Sequence, residues 1–98
     1  MAIEISVYPN PFDHHIMLEI TCDEAIDCII TLADIGEGKL LRMLGVGLVR
    51  GTNRIPFDNL ESLSAGNYQL EIKTSSGDPL YRTRLFKQTA EGPVIHLN

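Results

Sequence analysis

Gly66-Asn67-Tyr68-Gln69-Leu70-Glu71-Ile72-Lys73 decides the fold. Tyr68, Leu70 and Ile72 alternate with Gln69, Glu71 and Lys73, the period of a strand with one face in a core and the other in water. Ser75-Ser76-Gly77-Asp78-Pro79 then reads as a hairpin turn. Leu80 to Gln88 is the returning strand, with Tyr81, Thr83 and Leu85 facing one way and Arg82 and Arg84 the other.

The same period runs upstream. Ile3, Ile5 and Val7 alternate with Glu4 and Ser6, and Pro9 and Pro11 end that strand because neither can donate to a ladder. His15 to Cys22 places Ile16, Leu18, Ile20 and Cys22 on one face. A third strand from about Ala25 to Ile35 points Ile26, Cys28, Ile30 and Leu32 inward, while Ile29 and Ala33 make its other face partly apolar, as in a central strand. Gly36-Glu37-Gly38 is a turn signal. Lys39 to Leu44 resumes as a strand, and Gly45-Val46-Gly47 weakens it, suggesting a bulge or a change of sheet. Leu48–Arg50 and Arg54–Phe57 read as strand fragments around Gly51-Thr52-Asn53. Asp58 to Leu63 is expected to make one helical turn at most, with Leu60 and Leu63 as plugs, and Val94 to Leu97 a short final strand.

Leu63-x-x-Gly66-x-Tyr68 has the spacing of a tyrosine corner, in which a Tyr hydroxyl bonds backbone a few residues upstream and pins a crossing between sheets. With about seven or eight short strands and almost no helix, the expectation is all-β: an immunoglobulin-like or fibronectin-like antiparallel Greek-key β-sandwich. No repeat, linker or low-complexity tract divides residues 1–98, so they read as a single domain.

The formal net charge of −5 at pH 7 argues against a nucleic-acid binder, which needs a basic face. No apolar run is long enough to cross a bilayer. Met1-Ala2 leads straight into a strand with no basic or apolar leader, so the sequence reads as a cytoplasmic chain or as a piece of a larger secreted precursor. Cys22 and Cys28 flank Asp23 to Asp27, read as a hairpin loop, which would set them across adjacent strands. They are either two small buried hydrophobes or a somewhat strained disulfide.

Few residues invite chemistry. Asp13-His14-His15 is the most tempting metal cluster, with Glu19 further along, but adjacent strand residues point to opposite faces, so a solvated loop is the preferred reading and no metal is expected. His96 reads as a surface residue. Gly45-Val46-Gly47 with Gly51 lacks the helix a phosphate-cradling loop requires. Ser62, Ser64, Ser75 and Ser76 lie in turns without a histidine partner, and the carboxylates are scattered singly. The expectation is therefore no enzyme and no cofactor. Arg82, Arg84 and Lys87, with Lys73 on the neighbouring strand, are either a solvated, aggregation-guarding face or a docking stripe for an acidic partner.

Taken in order, these pieces resemble the C-terminal sorting domains of the type IX (Por) secretion system of Bacteroidetes. The resemblance rests on Val7-Tyr8-Pro9-Asn10-Pro11, Asp34 through Gly38-Lys39, Gly51-Thr52-Asn53-Arg54-Ile55, Leu63 to Tyr68 and a final strand with basic residues. It spans about residues 5–87 and leaves 88–98 as an extra C-terminal segment. The resemblance implies a non-catalytic module carried behind an upstream cargo domain. The cargo would pass through the periplasm, the folded sandwich would be recognised by an outer-membrane translocon without inserting into the membrane, and a surface peptidase would remove it at the cell surface. It further implies that Gly66, Tyr68, Arg82, Arg84 and Lys87 take part in recognition. The alternative is a structural or adhesive accessory module of an extracellular enzyme.

Overall fold

The computed structural model describes residues 2–88. Seven strands follow in order: β1 (Ile3–Tyr8), β2 (Ile16–Cys22), β3 (Ile26–Asp34), β4 (Leu40–Leu48), β5 (Gly51–Phe57), β6 (Gly66–Thr74) and β7 (Pro79–Lys87). They form two antiparallel sheets, β1-β2-β5 and β4-β3-β6-β7, and the described residues contain no helix. The chain passes between sheets at β2–β3, β4–β5 and β5–β6, so neither sheet is a simple run of hairpins.

The inner faces of the two sheets supply one core. Ile16, Leu18 and Ile20 from β2 meet Ile30 and Leu32 from β3 and Tyr68, Leu70 and Ile72 from β6, all buried. Within the larger sheet Ile30 stands opposite Ile72 and Leu32 opposite Leu70, so large aliphatic side chains align across strands. Each such burial is worth about 1.5–3 kcal/mol relative to exposure. Two plugs come from connections: Phe12 and Leu60, both fully buried. Leu63 packs at the same end, its N–H bonded to the Leu60 carbonyl at 3.1 Å. That single turn-like bond is what the leucine spacing at 60 and 63 builds in place of a helical turn.

The structure corrects three expectations. Cys22 and Cys28 do not face each other across a hairpin, because β2 and β3 lie in different sheets. Both are buried free thiols, and burial pushes Cys28 above the usual thiol range. Gly45-Val46-Gly47 is neither bulge nor switch: β4 stays in register with β3 from Ile26↔Leu48 to Leu32↔Arg42. The irregularity falls instead where Leu32 and Ala33 pair with Arg42 and Leu40, and the change of sheet follows at Val49-Arg50. Gly51-Thr52-Asn53 is not a turn but the start of β5, opposite Cys22, Thr21 and Ile20. Ile26, expected in the core, is half-buried against it. The strand expected at Val94–Leu97, and His96, lie outside the described residues.

Candidate recognition surface

The Tyr8-to-Phe12 loop is bonded along the outer edge of β7. Both of its X-Pro peptide bonds are cis. Its two prolines have no N–H to offer, and the Asn10 side chain does the bonding instead. The Asn10 carboxamide donates to the Arg84 carbonyl (3.3 Å) and accepts from the Phe86 N–H (2.9 Å). Phe12 continues the contact with backbone: its N–H reaches the Phe86 carbonyl at 2.9 Å, and its carbonyl accepts from Gln88 N–H at 3.0 Å. One side-chain amide and one residue of parallel bridge thus occupy the lower half of an edge that would otherwise be unpaired.

The other landmarks of the sequence do similar work. The Asp34 carboxylate accepts from Gly36 N–H at 2.7 Å, closing the turn in which Gly38 takes φ 69°. Asn53 accepts from Val49 N–H (2.9 Å) and donates to the Val49 and Ile20 carbonyls (2.9 and 3.1 Å), fastening the β4–β5 passage to β2. The Tyr68 hydroxyl donates to the Ser64 carbonyl, and Gly66 at φ 146° opens β6 beside it. This is the expected corner. Tyr68→Phe should cost about 1 kcal/mol or slightly more in denaturant unfolding, the effect of leaving one buried carbonyl unpaired. An unchanged midpoint would remove the corner from the account of stability.

The five residues singled out in the sequence do not form one patch. Arg82 and Arg84 project from the outer face of β7, opposite Glu71 and Gln69 of β6. Arg82 is tied to Glu71 by an N–O distance of 2.8 Å, and Lys73 approaches the same carboxylate at 3.7 Å. The bonded Arg82 guanidinium holds the Glu71 carboxyl below the usual carboxylate range, partial burial acting the other way. Arg84 is exposed and has no ion pair among the described residues. Lys87, in contrast, is 2% exposed: its parity is that of Leu85, and its Nζ donates to the Gln88 carbonyl at 3.0 Å. Tyr68 is also buried, so neither it nor Lys87 is presented to solvent by this surface.

His14 and His15 stack with ring centroids 4.6 Å apart, and Asp13 Oδ1 is buried without a hydrogen-bond partner. Among the described residues no three His, Cys, Asp or Glu side chains converge as metal ligands would. Asn10 and Phe12 are what sequence reasoning missed. The available signal was an amide side chain placed between two residues that cannot donate.

Comparison with known proteins follows the same landmarks. The family model described as the secretion system C-terminal sorting domain matches residues 6–84. No curated protein matches the chain. Among solved structures, the crystal structure of a Bifidobacterium adolescentis GH3 beta-glucosidase is similar with a TM-score of 0.52 and 21% identity, over 99% of this chain and 18% of that one. That likeness concerns the fold; the chain spans less than a fifth of the enzyme's length.

Proposed function

Because the chain belongs to the secretion system C-terminal sorting domain family, we propose that it acts as a folded delivery tag that carries an upstream cargo through type IX secretion to the cell surface. The family match across residues 6–84 carries this reading. A translocon subunit reads the outer surface of the sandwich, and the element we assign to it is the outer face of β6 and β7 with Arg84 at its centre. Arg84 is the one of the three basic β7 side chains that is both exposed and without an ion pair among the described residues. Arg82 contributes through its pair with Glu71, which fixes a local pattern of charge. Lys87 and Tyr68 act indirectly, by holding the end of the sandwich on which β7 rests. The domain does no chemistry of its own in this scheme, and a surface peptidase separates it from its cargo.

The test is a reporter preceded by a signal peptide and followed by residues 1–98, expressed in a type IX-competent bacterium and in a strain lacking the translocon. Reporter on the surface of the first and in the periplasm of the second is expected. Periplasmic retention in both would overturn the sorting role and leave a structural accessory module.

A further inference from the structure

We propose that the outer edge of β4 is a self-association surface that takes β4 of a second copy of this chain, antiparallel. The inference is independent of the sorting role and starts from hydrogen-bond parity. Ser75 N–H bonds to the Asp27 carbonyl and Ile35 N–H to the Asn67 carbonyl, so the odd-numbered residues of β3 face β6. The even ones therefore face β4, where Cys28, Ile30 and Leu32 stand opposite Val46, Leu44 and Arg42. It follows that Met43, Gly45 and Gly47 turn their N–H and C=O groups away from the sheet. The outer side of β4 has no strand partner among the described residues.

This edge is unlike the other three. The β7 edge is occupied by Asn10 and Phe12 and flanked by Arg82 and Arg84. Strand β5 carries Pro56 and Arg54, and β1 is short at six residues with Glu4 and Ser6 outward. Strand β4 has nine residues and neither Pro nor Lys; its one charged side chain, Arg42, is engaged by the Asp58 and Asn59 carbonyls at 3.1 and 2.8 Å. Its apolar side chains are exposed, Met43 at 66% and Leu44 at 39%.

Gly45 points to the occupant. Its φ lies outside the left-handed region, and a Cβ built on it would meet nothing within 4 Å, so the isolated fold has no need of glycine there. Glycine inside a strand without such a need marks the close approach of another backbone. An antiparallel copy centred on Leu44 sets Met43 over Gly45 of the second copy, twice by symmetry, with reciprocal backbone bonds between them. On the opposite face it sets Leu44 against Leu44. The two exposed apolar side chains and the bare glycine backbone thus cover one another, a self-complementary two-fold contact. The strand carries no acidic residue, so the charge of −5 lies away from the seam.

Sedimentation of residues 1–98 over a wide concentration range should show a reversible monomer–dimer equilibrium. Gly45→Lys, whose side chain enters open space, should weaken it about tenfold or more by guarding the edge with charge, with the unfolding midpoint unchanged. Amide exchange on the unmodified protein reads the backbone directly. Met43 and Gly45 should gain protection as concentration rises, while Leu44 and Val46, already bonded to β3, should not. A monomer with fast exchange at Met43 and Gly45 overturns the proposal. So does a dimer indifferent to Gly45→Lys, which would use another surface. Protection of Met43 and Gly45 that is independent of concentration also overturns it, since a strand of the same chain would then hold the edge.

Discussion

Phe12→Ala is expected to lower the unfolding free energy by about 3–5 kcal/mol, the range for deleting a fully buried aromatic ring. That is a large part of the roughly 5–15 kcal/mol a domain of this size has. Phe12 is fully buried and its ring meets that of Tyr68 edge-on, with centroids 6.1 Å apart. Its backbone bonds Phe86 and Gln88. Truncation leaves a void between the tyrosine corner and β7 and frees the loop that covers the β7 edge. Urea unfolding monitored by circular dichroism measures the loss, and Phe12→Leu, which keeps most of the volume, should recover much of it. A loss below about 1.5 kcal/mol would mean that the cavity collapses or that the ring contributes little.

The second large effect is on export. Arg84→Glu should sharply reduce delivery of the reporter to the cell surface while leaving the unfolding midpoint unchanged, because the side chain is exposed and makes no ion pair among the described residues. Its carbonyl, which holds Asn10, belongs to the backbone and survives the substitution. Arg82→Glu is a less clean probe: it removes the partner of Glu71 and sets two carboxylates opposite each other on neighbouring strands. The double variant should lose export at least as fully as Arg84→Glu. Normal surface delivery by Arg84→Glu would return both arginines to the role of edge guards.

Much of the fold is legible in the period of two. Ile16, Leu18 and Ile20, or Tyr68, Leu70 and Ile72, name their own inward face by spacing alone, and the structure buries all six. Glycine misled at residues 45, 47 and 51, because a residue that weakens a strand also fits one whose neighbours hold it extended. The Cys22–Cys28 spacing misled for a topological reason: a loop of that length serves a hairpin and a passage between sheets equally well, and only long-range pairing separates them. Lys87 illustrates a third difficulty. Counting by twos from Leu85 turns it inward, but a lysine suggests solvent, and the structure follows the count. The surface itself was only half legible. The basic residues of β7 could be read directly, whereas the fates of Arg82, tied to Glu71, and Lys87, buried, depend on the neighbouring strand and on Phe12.

The bridge from Phe12 to Lys87 runs parallel, not antiparallel. Tension drawn between the start of β1 and the end of β7 would therefore slide these two segments along each other and strain the Phe12 bonds to Phe86 and Gln88 together. An antiparallel closure would open like a zipper, one bond at a time. A motor hauling on this domain from its two poles would meet its stiffest direction first, whereas one prising at the flank of the last strand would meet the softer one.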